Sequence, residues 1–311
     1  MANRSHRRQK RKGLAILNCF LLVFCVLFVG VLIYHYKSNS INHTVREFTQ
    51  VMTKQSKKSS HKGESKKVTN SNKKGSSPKQ VWQKASDPLK VPILMYHAVH
   101  VMGQEEKANE NLIVSPDTFE SQIKALSQNG YYFLTPEEAF RILSKNEKPS
   151  HKYVWLTFDD SMIDFYNVAY PILKKYKAKA TNNVITGLTQ SGSKGNLTIT
   201  QMLEMKKDGM SFQDHTVNHP DLSLQSDTVQ KNELKDSKVY LDEQLHQNTI
   251  AVAYPSGRYN DSTLNIAQSL NYKLGVTTHE GLASVSDGLL SLKRIRILPT
   301  TSAQQLLETI Q

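Results

Sequence analysis

An apolar run ends abruptly in two adjacent carboxylates in the sequence Tyr153-Val-Trp-Leu-Thr-Phe-Asp-Asp-Ser161. The length of the run and its β-branched and aromatic residues predict a buried β-strand. α/β folds keep their sites at the carboxyl ends of the strands, so Asp159 and Asp160 are candidate site residues. Neighbouring side chains on a strand point to opposite sides, so the two carboxylates should differ in role unless the chain bends there. The alternative is that Asp-Asp-Ser only begins a turn and caps the next helix.

The positive charge of the chain is concentrated in its N-terminal region. The 311 residues carry a formal net charge of +13. Residues 1–86 contain 18 lysines and arginines but only two acids, Glu47 and Glu64. The remainder is therefore mildly acidic, which argues against a nucleic-acid groove in the folded part.

The N-terminus has the pattern of a membrane signal anchor. Residues 1–13 form a basic tail, and residues 14–34 are apolar and uncharged. About 20 such residues span a bilayer as a helix, and a basic flank stays in the cytoplasm. A cleaved signal peptide is the alternative, but no small-x-small site follows the apolar run. We therefore expect a single-pass membrane protein whose C-terminal part lies outside the cell.

A polar segment follows the predicted anchor. Residues 35–87 are rich in Lys, Ser, Asn and Gln, which predicts a flexible stalk rather than a packed core. Its lysines suit anionic wall polymers or lipid head groups as partners; the alternative is a solvated spacer without a partner. The two cysteines of the chain, Cys19 and Cys25, lie in the apolar segment, so no disulfide is expected in the exported part.

Strand and helix patterns alternate through residues 88–311, the predicted catalytic domain. The capping box of Thr135 and Glu138, with Pro136 between them, begins one of the helices. Alternation of this kind predicts an α/β fold with a parallel sheet. About seven strand–helix units indicate closure into a barrel. Nothing in the sequence indicates an oligomeric state.

A second polar cluster, Gln213-Asp-His-Thr-Val-Asn-His-Pro220, follows a predicted strand. His215 and His219 are four residues apart, which on a helical turn places both imidazoles within reach of one ion. Such pairs alone are also common on polar surfaces. With a strand-terminal carboxylate they make a His-His-Asp ligand set with positions open to water and substrate. The sequence therefore predicts a divalent metal, and Zn²⁺ fits this set best.

The two clusters together predict a hydrolytic site. A metal held by Asp160, His215 and His219 leaves Asp159 free to act as a base toward a water that the metal has acidified. The same metal can polarise a carbonyl oxygen. This chemistry is metal-assisted hydrolysis of an amide or an ester.

The motifs resemble those of a known family. Thr157-Phe-Asp-Asp-Ser161 and His215-Thr-Val-Asn-His219-Pro are similar to the first two motifs of the polysaccharide deacetylases, the family 4 carbohydrate esterases with the NodB-homology fold. The resemblance extends from about Val91 to Ile297. It implies a deformed (β/α) barrel that removes N-acetyl groups, with Asp159 as base and Asp160, His215 and His219 on the metal. Three further stretches resemble the branch that acts on poly-N-acetylglucosamine and related wall glycans: Leu94-Met-Tyr-His97, Ala169-Tyr-Pro-Ile-Leu-Lys-Lys-Tyr176 and Ala253-Tyr-Pro-Ser-Gly-Arg-Tyr-Asn260.

The sequence departs from the family pattern at several positions. Ser161 replaces a glycine that would permit a left-handed turn. Asp214 precedes the first metal histidine, where it would add negative charge near the metal or face water. The arginine that orients the base is missing from its usual motif, and the candidates to replace it are Arg258, Arg296 and, as our preferred choice, Arg294.

The histidine that serves the family as general acid is also missing from its usual strand. Leu292-Lys-Arg-Ile-Arg-Ile297 occupies the matching position. His279 and His97 are the alternatives, and His97 could equally be a hydrogen-bonded residue near a strand end.

We therefore expect a membrane-anchored enzyme that removes N-acetyl groups from a surface amino-sugar polymer, either peptidoglycan or poly-N-acetylglucosamine. An esterase of O-acetylated glycans is the second hypothesis. The third is a glycan-binding wall protein on a catalytically decayed scaffold, which the missing acid motif and Ser161 favour and the intact Asp-Asp and His-His pairs oppose.

Overall fold

A parallel β-barrel forms the centre of the fold in this computed structural model, which describes residues 81–311. Helices cover its strands on the outside, which is why the strands read as continuous apolar runs. Within the described residues the barrel has seven strands: β1 (Ile93–Tyr96), β2 (Lys152–Phe158), β3 (Thr181–Val184), β4 (Ser211–Asp214), β5 (Ala251–Ala253), β6 (Leu274–Glu280) and β7 (Leu292–Arg296).

The barrel closes through its first strand. β1 pairs in parallel with β2, where Ile93 is opposite Trp155, and with β7, where Ile295 is opposite Leu94. The other barrel strands follow in chain order around the circumference, and all these pairings are parallel. The carboxyl ends of all the barrel strands therefore open at one mouth. The predicted α/β barrel of about seven parallel strands is confirmed.

Helices alternate with the strands and fill the outer layer. The longest helix described begins after Ser226, whose side-chain hydroxyl accepts a hydrogen bond from the backbone N–H of Val229. The predicted capping box at Thr135 is present, with both of its hydrogen bonds to Glu138. The α-helices are α1 (Pro116–Gln128), α2 (Pro136–Lys145), α3 (Tyr170–Lys175), α4 (Thr186–Gln190), α5 (Ile199–Lys206), α6 (Asp227–Leu245), α7 (Asp261–Ser269) and α8 (Ala303–Thr309).

Aromatic packing fixes the end of β2. The ring of Phe158 stacks on Tyr96 at 5.0 Å between centroids. It also meets Phe119 and Phe165 edge-on, at 5.7 Å and 4.8 Å. Because Phe158 is directed outward into this cluster, the residues that follow it begin from a fixed point at the barrel mouth.

Two elements of the fold were not expected from the sequence. Phe165–Ala169 is a π-helical turn before α3. The proline at position 171 cannot donate the backbone hydrogen bond of an α-helix, which explains the wider turn before it. Tyr131–Phe133 forms a short strand beside the first half of β2, which the sequence analysis did not predict.

The folded part begins before residue 88. Trp82–Lys84 pairs antiparallel with Glu147–Pro149, so the predicted stalk boundary was wrong for these residues. The guanidinium of Arg141 lies 4.4 Å from the centre of the Trp82 ring, which holds this strand against the domain. Residues 1–80, including the predicted anchor and the rest of the stalk, lie outside the described residues. Within residues 81–311, no helix is long and apolar enough to cross a membrane.

Short elements complete the described chain. The 3₁₀ helices are Gln104–Leu112, Leu222–Leu224, Pro255–Gly257 and Val285–Asp287. The remaining short strands are Lys90–Val91, Ala98–Val99, Ile113–Val114 and Ala283–Ser284.

Candidate active site at the barrel mouth

A buried ion pair joins the end of β2 to β7. Asp159 and Arg294 are 3% and 0% exposed, so their contact is shielded from water. Nη1 and Nη2 of Arg294 donate to the two carboxylate oxygens of Asp159 at 2.9 Å and 2.7 Å. Arg294 also donates to the hydroxyl of Thr157 and to the backbone carbonyl of Thr277. The guanidinium is thus fixed on three sides, and the geometry is the bidentate fork that arginine forms with carboxylates.

Asp159 receives a further hydrogen bond from β3. The side-chain amide of Asn183 donates to its Oδ1 at 2.7 Å. Burial opposes ionisation of Asp159, but the adjacent charge and hydrogen bonds of Arg294 hold the pKa of this carboxyl well below its usual range. Asp159 is therefore ionised at neutral pH and able to accept a proton.

A left-handed turn separates the two carboxylates. Asp160 and Ser161 have φ values of 73° and 52°. The chain therefore bends at the position that the sequence analysis named as the exception to strand alternation. The two aspartates still face different partners, since Asp159 pairs with Arg294 and Asp160 lies beside His215 and His219. Ser161 thus adopts the conformation for which the family uses glycine, and its buried hydroxyl has no hydrogen-bond partner among the described residues.

Asp160, His215 and His219 form the group of side chains that could hold a metal. One ligand atom from each residue lies within 4.8 Å of the other two. Oδ1 of Asp160 is 3.3 Å from Nε2 of His215 and 3.6 Å from Nε2 of His219. Nδ1 of His215 is 2.7 Å from the backbone carbonyl of Ala253, to which it donates a proton. That bond fixes the tautomer in which Nε2 carries a lone pair toward Asp160, as a metal ligand requires.

The electrostatics of the group also suit a cation. Burial disfavours the charged form of His215, but Asp160 and Asp159 raise its pKa above the usual value. Burial and the neighbouring His215 lower the pKa of His219. The carboxylates therefore attract positive charge to this position, either as a proton on His215 or as a metal ion that replaces it. The residues present fit a divalent metal.

The turn that carries the two histidines is held by α6. Oε2 of Glu233 accepts hydrogen bonds from the backbone N–H groups of Val217 and Asn218, at 3.0 Å and 2.8 Å. Its Oε1 accepts from the side-chain amide of Asn218 at 2.7 Å. Thr216 and His219 within this turn have φ values of 66° and 57°, so the backbone needs external support to stay in place.

Gly187 supports the same turn from α4. Its N–H donates to the backbone carbonyl of Val217 at 2.9 Å. A Cβ atom at position 187 would lie 2.6 Å from that carbonyl oxygen. Only glycine allows the two backbones to come this close.

Asp214 does not face water, which was one of the two roles that the sequence analysis considered. It is buried and accepts hydrogen bonds from the hydroxyls of Ser237 and Tyr272 and from the N–H of Thr216. Burial raises the pKa of Asp214 to about 6. Its carboxylate therefore braces β4 against α6 and the start of β6 instead of facing water.

The remaining candidate residues divide between the site and its surroundings. Nε2 of His97 is 4.0 Å from Oδ2 of Asp159, whereas His279 is exposed at the end of β6. Arg258 pairs with Asp221 at 2.8 Å, and Arg296 lines a cavity beside Glu280. The structure thus brings together Asp159, Asp160, His215, His219 and Arg294, and it adds His97 rather than His279.

Asn183, Glu233 and the carbonyl of Ala253 were not found from the sequence. Each supports a site residue through one or more hydrogen bonds across elements. The signal available in the sequence was only that Asn183 and Ala253 lie on strands near their carboxyl ends. Glu233 lies on a helix with many polar residues, so nothing in its local pattern distinguishes it.

A seven-stranded α/β barrel with an Asp–Arg pair beside an Asp-His-His group has the fold and the side chains of a metal-assisted hydrolytic site, and the comparisons give its family. The family model for polysaccharide deacetylases matches residues 146–275. Over 221 residues the chain is 42% identical to YxkH of Bacillus subtilis (strain 168), whose name assigns it to these deacetylases; the match covers 71% of this chain and 76% of that protein. This chain belongs to the polysaccharide deacetylase family.

Two further relatives have more specific names. The chain is 31% identical to the poly-β-1,6-N-acetyl-D-glucosamine N-deacetylase of Staphylococcus aureus (strain MSSA476), over 71% of this chain and 82% of that one. The deacetylase PplD of Streptococcus pyogenes, solved in complex with acetate, is 70% identical with a TM-score of 0.71. That match covers 72% of this chain and all of the other.

Proposed function

We propose that this enzyme removes N-acetyl groups from a cell-surface amino-sugar polysaccharide with the help of a divalent metal. The observation that carries the proposal is the placement of the Asp160–His215–His219 group beside an ionised Asp159 at one barrel mouth. The name of the S. aureus relative supports an N-acetylglucosamine polymer as substrate. The acetate bound by the S. pyogenes relative is the acid that such a reaction releases.

The proposed mechanism assigns a separate task to each carboxylate. Asp160, His215 and His219 hold the metal, and zinc suits this ligand set best. A metal held there supplies Lewis acidity, which polarises the acetyl carbonyl and acidifies water. Asp159 accepts a proton from the attacking water, and Arg294 and Asn183 keep its carboxylate in one orientation.

His97 is the proposed proton donor to the departing amine. Its imidazole is largely buried, and among the histidines of residues 81–311 outside the metal group it is the one within 4.0 Å of the Asp159 carboxylate. Burial lowers the pKa of His97, and the charges of Arg294 and Arg296 lower it further against the opposing effect of Asp159 and Asp160. His97 is therefore neutral at neutral pH before the reaction. It takes up the proton that Asp159 accepts from water, across the 4.0 Å between its Nε2 and Oδ2 of Asp159, and donates that proton to the departing amine.

Location at the outer face of the membrane is part of the proposal. It rests on the basic tail of residues 1–13 and the uncharged apolar segment of residues 14–34. Protease treatment of intact cells should remove the domain. A domain protected until lysis would reverse this topology, and a mature N-terminus near Tyr36 would mean that the segment is cleaved.

The decisive experiment measures metal content and acetate release together. The purified protein should contain one divalent metal ion and release acetate from N-acetylglucosamine oligomers, and both should be lost in His215→Ala. Stoichiometric metal in that variant would overturn the ligand assignment. Wild-type protein that holds metal but releases acetate only from O-acetylated glycans would be an esterase. Protein that binds glycan without releasing acetate would be the decayed scaffold.

A further inference from the structure

A separate polar cavity lies between the end of β7 and α8. Its volume is about 390 Å³, within the range of small-ligand sites in proteins. Its lining combines charged, polar and apolar side chains: Glu280, Arg296, Leu298, Thr300 and Gln305. None of these residues belongs to the Asp159 and metal groups described above.

Arg296 is the unusual member of this cavity. Within residues 81–311 each of the other three arginines has a carboxylate partner: Arg141 with Glu147, Arg258 with Asp221 and Arg294 with Asp159. The half-buried guanidinium of Arg296 has no side-chain hydrogen bond or ion pair with any described residue. It therefore presents its N–H donors to whatever enters the cavity.

The cavity adjoins the proposed active site. Arg296 is opposite Met95 in the pairing of β7 with β1, and His97 follows two residues after Met95. Arg296 is close enough to His97 for its charge to act on that imidazole. Arg294, two residues earlier on the same strand, holds Asp159. The cavity therefore lies at the end of the strand that carries Arg294, next to the strand that leads to His97.

The lining favours a neutral sugar over an anion. The carboxylate of Glu280 faces the same cavity as Arg296 and accepts a hydrogen bond from the backbone N–H of Arg296 at 3.3 Å. A guanidinium and a carboxylate together offer donors and acceptors to the hydroxyls of one ring, whereas Glu280 would repel an anionic group. Leu298, which is 38% exposed, offers an apolar surface to the C–H face of that ring.

We propose that this cavity is a second sugar subsite, in which Arg296 and Glu280 bind a neutral sugar next to the one that is deacetylated. The inference rests on the proposed function, because it assumes a polymeric substrate. It makes the enzyme select chains over single sugars. The selectivity arises from binding at Arg296 and Glu280, at a distance from the acetyl group itself.

The test is the dependence of KM on chain length. Acetate release is measured for the full-length wild type, Arg296→Gln and Glu280→Gln, with β-1,6-linked N-acetylglucosamine oligomers of one to four residues. The wild type should have a lower KM for the tetramer than for the monomer. Loss of a hydrogen bond from a charged group should raise the tetramer KM about tenfold, so that the ratio of the two KM values approaches one. Arg141→Gln, which lies beside Trp82 and away from the cavity, should keep the wild-type ratio.

If Arg296→Gln leaves the ratio of the monomer and tetramer KM values unchanged, the subsite proposal is wrong. This holds even if kcat changes, because a change in kcat alone would mean that Arg296 acts only through His97. Calorimetric titration of the full-length protein as purified with the tetramer separates this failure from that of the proposed function. Tetramer binding that Arg296→Gln weakens about tenfold supports the subsite even if the wild type releases no acetate. If the wild type does not bind the tetramer, the subsite proposal is wrong. Tighter binding of a tetramer that contains glucuronic acid would overturn the assignment to a neutral sugar.

Discussion

Replacing Glu233 should weaken metal binding without unfolding the barrel. The Glu233 carboxylate accepts three hydrogen bonds from Val217 and Asn218, in the turn between the two metal-site histidines. Hydrogen bonds to a charged group contribute about 1.5–3 kcal/mol each when shielded. Asn218 is exposed, so water can replace part of them, and we expect a net loss of about 1–2 kcal/mol. If the lost free energy makes the turn between the two histidines less ordered, metal affinity decreases about 5–30-fold. This overlaps the range found for residues that support metal ligands.

The assay is competition for Zn²⁺ or Co²⁺ between the protein and a chromogenic chelator. Glu233→Ala should show the full loss of affinity, and Glu233→Gln a smaller one because the amide keeps one acceptor. Glu243→Ala, an exposed position on the same helix, is the matched control and should bind metal like the wild type. A Glu233→Ala variant whose dissociation constant stays within about twofold of the wild type would refute the reasoning, since the loss of a residue that supports metal ligands has a larger effect than this.

Three further predictions concern the site and its surroundings. Asp159→Asn should keep the metal but slow acetate release about 10²–10⁴-fold, whereas Asp160→Asn should lose the metal; near-wild-type turnover in Asp159→Asn would contradict its role as base. Ser161→Gly should raise the free energy of unfolding by about 1 kcal/mol, because it removes left-handed strain and an unpaired buried hydroxyl, partly offset by the flexibility of glycine. A lower denaturation midpoint would contradict this expectation. The amide of Asn182 is buried with no partner among the described residues, opposite Phe158 and Phe212 on the neighbouring strands, so Asn182→Val should stabilise the fold by about 1–3 kcal/mol. Asn183→Val at the next position should instead impair acetate release, and a destabilised Asn182→Val would mean that this amide has a partner.

The barrel was predictable because its elements are local patterns. Short apolar runs such as the one ending at Phe158 mark strands, and caps such as Thr135 mark the start of helices. The strand Tyr131–Phe133 was missed because three residues are too short for a periodic signal. The sequence did not show whether the chain turns at Asp160, because a serine at position 161 gives no indication of a left-handed conformation.

The site was predictable where chemistry and spacing coincide in one motif. The Asp159–Asp160 and His215–His219 pairs are visible for that reason. The partners of these residues are visible only in the fold, because Glu233 and Asn183 reach them from other elements. The role of Asp214 stayed open in the sequence, because nothing there shows that the hydroxyls of Tyr272 and Ser237 lie beside its carboxylate.

The Asp159–Arg294 pair makes the enzyme depend on its last strand. The two residues are 135 positions apart, and Arg294 lies on β7, whose pairing with β1 completes the barrel. Before that strand docks, Asp159 has no guanidinium to orient it. Contacts between distant parts of a chain form late, because closing the loop between them is entropically unfavourable. Acetate release should therefore be the last property to return on refolding, and a chain that ends before Arg294 should have no activity.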